Sequence, residues 1–368
     1  MSFRWEGVPQ PFRILCSQDL EKRPMPQLQK REQTILSSLV SAHVATGEPV
    51  GSRTISKSGL GLSPATVRNS MADLEEKGYL THPHTSAGRI PTDKGYRYYV
   101  DQVVSQEDLP DAERERIRRS MAAQLREGNI QTLIEQVSQV VAEVSQNLGV
   151  ALTPRFERGT FERLELVHLS ESKVLLVLTI RSGLVKTMVM EIDSAIDVSE
   201  IEETRRVINE RLSGLTVAEI RDSVLERLSS VSRGSSRLLR IICESADSLF
   251  NFSGSDDLHF GGAGNFFLKP EFSNHQTELA ALMGLLEARE PMITILDKRT
   301  DQEGINITIG NENTSPELQG YSLLTSRYQV GNVSGVVGVI GPTRLPYARI
   351  IPLIQFMAEL TEEMIDHK

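Results

Sequence analysis

The sequence predicts an α+β multidomain protein that opens with a winged helix-turn-helix. Three observations carry that prediction: a capped, two-faced helix pattern over Leu62–Gly78, a glycine-tipped hairpin pattern directly after it over Tyr79–Pro91, and alternating strand and helix patterns from Leu164 onward. With 368 residues the chain is long enough for two or three domains with real cores.

Composition narrows the class. Apolar residues make up 39% and charged residues 24%, an ordinary globular balance. No run of about 18 apolar residues predicts a membrane helix, and the N-terminus lacks the pattern of a secretory signal. Cys16 and Cys243 are too few for a disulfide framework or a metal cluster and suit a reducing cytoplasm. Net charge is −9, yet from Lys30 to Val100 nine Lys/Arg stand against six Asp/Glu, with His43, His82 and His84 among them. A basic module on an acidic body predicts DNA at one end and another role at the other.

Taken in order, residues 1–27 carry Pro9, Pro11, Pro24 and Pro26 without a period and read as a flexible arm, with Met25 a plausible second start of translation. The winged module is expected over 28–104. Leu28, Ile35, Leu36, Leu39, Val40 and Val44 repeat at helical spacing up to Gly47. Ser52 is placed to cap a short helix through Lys57, and Ser58–Leu62 turns into the third helix. There Ser63 caps, Pro64 suits the first turn and Gly78 closes. Val67, Met71 and Leu74 share an inward face; Ala65, Arg68, Asn69 and Ala72 point outward. Arg and Asn match guanine and adenine edges in the major groove, and small neighbours let the backbone come close. A helix of this kind alone is as readily a solvated one; the flanking hairpin tips the reading to DNA.

The wing brings His82, His84, Thr85, Ser86 and Arg89 towards phosphates, or Arg89 into the minor groove. The expected DNA-binding set is Arg53, Lys57, Ser63, Ala65, Thr66, Arg68, Asn69, His84, Thr85, Ser86 and Arg89. Arg68 and Asn69, with Ser63 and Thr66 nearby, read or align on bases, while Arg53, Lys57 and Arg89 hold the backbone. Thr92 caps a following helix, Asp93 to about Val104.

A helical linker is expected over 105–149. Its apolar stripe, Ile130, Leu133, Ile134, Val137, Val140, Val141, Val144 and Leu148, fits either packing on its own domain or a dimer seam. Over 150–368, strands are expected at Leu164–Leu169, Val174–Ile180 and Leu184–Ile192, the last two joined at Ser182-Gly183, then three helices between Val198 and Phe250 and another over Pro270–Glu290. Further strands follow at Met292–Leu296, Ile305–Ile309, Tyr321–Tyr328 and Val336–Ile340, and a helix from Pro346 to Ile365 closes the chain. This order describes a sensor-like sheet domain interrupted by an insertion at roughly 198–260.

Catalytic chemistry finds no foothold, so the chain reads as a non-enzyme without cofactor. Gly261-Gly262-Ala263-Gly264-Asn265 lacks the Lys-Ser/Thr ending of a phosphate loop and reads as a tight turn. His82 and His84 lack further metal ligands. Asp301, Glu303, Glu312, Glu359, Glu362 and Glu363 read as solvated faces, and Gly341-Pro342-Thr343-Arg344 as a strand-ending turn.

Three runs carry a resemblance: Glu48–Thr54, Ser63–Asn69 and Pro83–Val100, joined by Gly261–Phe266, Ile309–Asn313 and Ile340–Arg344 with Tyr347. Through them the chain, from Leu28 onward, resembles the HrcA family of heat-inducible transcription repressors. That resemblance implies a GAF-like domain carrying an inserted dimerisation domain after the winged module. It also implies a homodimer on double-stranded DNA, at an inverted repeat upstream of chaperone genes, kept active by the chaperonin and relieved on heat stress. A different class of function fits the same order: a regulator whose GAF-like domain binds a small metabolite.

Overall fold

The computed structural model describes residues 15–16, 28–83, 88–102, 108–124, 130–181, 185–192, 196–229, 231, 233–250, 257–267 and 276–366. They form two compact units. One comprises Met1–Leu152, Leu258–Arg327 and Val336–Glu363, the other Thr153–Asp257, Tyr328–Gly335 and Met364–Lys368.

Within the stretch expected to be an arm, Leu15–Cys16 form a short strand, β1. The module after it holds three helices: α1 (Lys30–Thr46), α2 (Ser52–Ser56) and α3 (Pro64–Glu76). Ile35, Leu36, Leu39 and Val40 bury the inner face of α1, and Gly47 ends it at φ 72°. The cap of α2 is Gly51 rather than Ser52, which is already helical and makes no cap bond. In α3, Ser63 Oγ accepts from Thr66 N at 3.1 Å. Its far end closes with two back-bonds, Gly78 N to Glu75 O and Tyr79 N to Leu74 O, both 2.9 Å, around Gly78 at φ 77°. That left-handed geometry is open to glycine at no steric cost.

Two short strands follow, β2 (Leu80–Thr81) and β3 (Ile90–Pro91), antiparallel through Leu80↔Pro91 and Thr81↔Ile90. Arg89 also pairs its backbone with Val50, 2.9 Å in each direction, tying the ribbon to the entry of α2. Thr92 Oγ1 accepts from Gly95 N at the start of α4 (Asp93–Gln102).

Helices α5 (Asp111–Gln124) and α6 (Ile130–Ser145) lead to β4 (Leu148–Leu152), a strand that the periodicity did not predict. The second unit takes the next elements: β5 (Phe161–Ser170), β6 (Lys173–Ile180), β7 (Val185–Glu191), α7 (Val198–Leu212), α8 (Val217–Ser229), α9 (Ser236–Glu244) and α10 (Ala246–Leu249). Its sheet has the order β5-β6-β7 and is antiparallel throughout. These three strands pair with one another, and the compact unit that holds them begins at Thr153. The hairpin signal Ser182-Gly183 lies outside the described residues. On α7, Asn209 receives Leu164 N at 2.7 Å and donates to Leu164 O at 2.9 Å, so one side-chain amide satisfies both backbone groups of an edge-strand residue.

The first unit resumes with β8 (Leu258–Gly261), α11 (Gly264–Phe267), α12 (Gln276–Ala288), α13 (Glu290–Thr300), β9 (Ile305–Ile309), β10 (Tyr321–Val330), β11 (Val333–Pro342) and α14 (Tyr347–Asp366). Its sheet runs β1-β9-β10-β11-β4-β8; β1 lies parallel to β9. Leu148, Val150, Val336, Ile340 and Leu323 line one face against Leu282 of α12 and Met292 and Leu296 of α13.

Met292–Leu296, expected as a strand, is therefore part of a helix. Five consecutive apolar or β-branched residues fit either state. Pro291 in the first turn and a sheet waiting four residues apart, under Met292 and Leu296, decide for the helix.

The opposite sheet face carries α6, whose Leu133, Ile134, Val137, Val140 and Val141 are buried inside this unit. Gly149 and Gly261 permit that contact. A Cβ on either would stand 2.0 Å or 2.4 Å from Ser138 O of α6. The glycine run reads the same way. It follows an edge strand, and its turn is closed by Asn265, whose Nδ2 donates to Ala142 O (3.2 Å) and Asn147 O (3.0 Å).

Candidate nucleic-acid interface

Helix α3 separates its residues cleanly. Val67, Ser70, Met71 and Leu74 are buried, while Ala65, Arg68, Asn69 and Ala72 are exposed. The side chains of Arg68 and Asn69 make no hydrogen bond or ion pair with any described residue, and neither do those of Arg53 on α2 and Lys57 at its C-terminal cap, both exposed. Ser63 and Thr66 differ: their hydroxyls lie 2.9 Å apart within the cap and serve to start the helix. His84, Thr85 and Ser86 lie outside the described residues.

Arg89 is held rather than free. Its Nε donates to Glu75 Oε2 at 2.7 Å, and Glu75 Oε1 bonds His82 Nδ1. Burial pushes the Glu75 carboxyl up, but the hydrogen bonds and charges of His82 and Arg89 outweigh it and hold the group below its ordinary 4.5. Lys77 is likewise paired, with Glu32 at 2.6 Å, and Lys94 donates to Lys77 O at 2.7 Å while standing 4.3 Å over the Tyr79 ring. The exposed cations of this module left for a partner are thus Arg53 and Lys57 at α2, Arg68 on the outer face of α3, and Lys30 and Arg31 at the start of α1.

Sequence reasoning missed the residues that fasten this module to the sheet. Arg97 of α4, its side chain only 5% exposed, donates through Nε and Nη2 to Glu312 (2.8 Å and 2.5 Å) and through Nη2 to Ile307 O (2.7 Å). Glu312, expected as a solvated carboxylate, is a partner in this clamp. Beside it, Asp93 Oδ2 accepts from Asn311 N (2.9 Å) and Nδ2 (2.8 Å). Gly310, at φ 55°, lies so close that a Cβ would stand 2.2 Å from the Asp93 carboxylate. Arg344 donates to Val44 O at 3.1 Å, which gives the Gly341–Arg344 turn a fastening role. The available signal was the motif runs themselves, Pro83–Val100, Ile309–Asn313 and Ile340–Arg344. Nothing in their local chemistry said that they meet. Glu363, also expected as solvated, pairs with Arg118 at 2.5 Å.

Among the described residues no three His, Cys, Asp or Glu side chains gather as a metal site would, and no helix is long and apolar enough to cross a membrane.

Known proteins agree first on a class, transcription repressors. The chain is 38% identical over 342 residues to a heat-inducible transcription repressor HrcA of Chlorobium phaeobacteroides, spanning 90% of this chain and 97% of that one. It is 36% identical over 344 residues to the HrcA repressor of Geobacter sulfurreducens, spanning 93% and 99%. Residues 131–351 match the family described as HrcA protein C terminal domain. The chain belongs to the HrcA family of heat-inducible transcription repressors. Among solved structures, one described as the crystal structure of a hypothetical protein superposes with a TM-score of 0.61 at 21% identity over 93% of this chain and 99% of that one, a likeness of fold.

Proposed function

We propose that this heat-shock transcription repressor binds an inverted-repeat operator upstream of chaperone genes as a homodimer. Its first module works as a winged helix-turn-helix, with α3 as the recognition helix and β2–β3 as the wing. The observation that carries the reading is the outer face of α3: Arg68 and Asn69, exposed and unpartnered among the described residues, between the small Ala65 and Ala72. Guanidinium and amide groups so presented match the paired donors and acceptors of base edges. Arg53 and Lys57 fit phosphate contacts, whose loss weakens all sequences alike.

Dimerisation through the second unit is supported by the outer face of its sheet, where Val167, Leu169, Val185 and Val189 stand 45–52% exposed. In the first unit, a mostly antiparallel sheet with helices on both faces fits a GAF-like regulatory domain. Chaperonin support of activity, with release on heat stress in the cytoplasm, completes the reading.

The test is a mobility-shift titration against the chaperone inverted repeat and a scrambled duplex at fixed salt, with and without chaperonin. Selective binding to the repeat supports the reading; equal affinity for both duplexes overturns it. Arg68→Ala should cost roughly 1–3 kcal/mol on the repeat, about 5- to 150-fold, and relax sequence preference.

A further inference from the structure

A recess of about 190 Å³ opens between the C-terminal end of α13 and the turns that follow β9, lined in part by Lys298, Arg299, Gln302, Glu312, Thr314 and Ser315. Arg299 forms its buried wall and is 7% exposed. Its guanidinium donates to Thr308 Oγ1 (2.7 Å), Thr325 Oγ1 (3.1 Å) and the carbonyls of Asn306 and Leu323 (3.4 Å each). None of these acceptors is charged. Buried cations are ordinarily paired, because desolvation is costly without a counter-charge. Burial lowers Arg299 to about 9, which still leaves it cationic at neutral pH.

The carboxylate on the rim does not supply the missing charge. Both oxygens of Glu312 accept from Arg97, and Oε2 also accepts from Ile309 N. Nor does Glu317, which bonds to Ser315 at 2.5 Å and makes no ion pair with Arg299. Gln302 lines the same recess with its Oε1 buried and no donor among the described residues; with the amide turned over, Nε2–H stands there instead as a further donor to an anion. Lys298 adds an exposed ammonium at the rim.

From the uncompensated guanidinium, the orphan amide and the recess they share, we infer a binding site for a small oxyanion, a carboxylate or a phosphate. Arg299 supplies the planar donor geometry that such groups match, and Lys298 supplies the entry charge. The volume lies below the roughly 300–1,000 Å³ that drug-sized ligands fill, so the occupant is compact. Glu312 belongs both to this lining and to the Arg97 clamp, which puts the site next to the ion pair that holds α4 to the sheet. The site stands apart from the operator reading, since binding here needs no DNA.

Calorimetric titration of the full chain with inorganic phosphate, acetate and succinate, each against sodium chloride at matched ionic strength, tests this and separates the two anion types. Arg299→Gln strips several core hydrogen bonds, so the exposed rim carries the mutational arm. One of the three anions should give saturable one-to-one binding. Thr314→Trp, which fills the mouth, should abolish it; Lys298→Gln should weaken it about fivefold, the effect of one cation about 4 Å away in water. Arg68→Ala should leave it unchanged. No saturable binding by any anion, persistence in Thr314→Trp, or loss in Arg68→Ala, which would place the anion on the DNA-facing cations, each overturns the site.

Discussion

Neutralising Glu312 tests how the N-terminal helical module is fastened to the sheet. Glu312→Gln keeps the side chain's size but removes the counter-charge from Arg97, which is 5% exposed and bonded to both carboxylate oxygens. Two unit charges about 4 Å apart at an effective dielectric near 20 attract by about 4 kcal/mol. Glu312 is 28% exposed and Asp101 remains 3.2 Å from Arg97 Nη1, so solvent and the second carboxylate reduce the expected loss to about 2 kcal/mol. Hydrogen exchange of the α4 amides should then accelerate by about 30-fold if the segment opens as a local unit. Urea unfolding of Glu312→Gln, Arg97→Met and the double variant should return a coupling of about 1–3 kcal/mol. Unchanged α4 exchange in Glu312→Gln, with additive single effects, would show that the clamp contributes nothing to holding α4.

Two further outcomes follow from packing and charge. In Gly261→Ala a Cβ would meet Ser138 O at 2.4 Å and Gln139 Cα at 2.6 Å, both backbone of α6, so the helix must shift. Thermal unfolding should reveal a loss of about 1–3 kcal/mol. Gly264→Ala, where a Cβ meets nothing, should stay within about 0.5 kcal/mol, and equal effects at the two positions would contradict the close approach of α6. The Glu75 carboxyl is held below its ordinary 4.5, so its stabilisation is present above that value and is lost as pH falls through the folded value. The melting difference between the natural chain and Glu75→Gln should therefore be full near about pH 6 and shrink below about pH 4.5. A difference independent of pH would rule out the ion cluster as its source.

Much of the first module was legible in the residues. The capping serine, Pro64, Gly78 and the 67–71–74 spacing act within a few residues of one another, and the structure repeats them in the caps and burial of α3. The candidate interface was legible to the same depth: the spacing placed Arg68 and Asn69 outside, where they are found. It could not say that Arg89 would be held by Glu75, or that the hydroxyls of Ser63 and Thr66 would be spent on the cap. Those outcomes depend on which neighbours meet in space, and sequence spacing is silent on them.

Periodicity, caps and turn residues thus determined where most helices and strands begin and which face of each is apolar, because those signals are local. Only the tertiary structure decided that Met292–Leu296 is helical, that β4 and β8 join one sheet under α6, and that the strands from Phe161 to Glu191 close on themselves. It alone brought Arg97 to Glu312 across 215 residues. Such contacts are chosen by burial, backbone satisfaction and charge pairing among groups distant in the chain, and no stretch of sequence contains both halves of that choice.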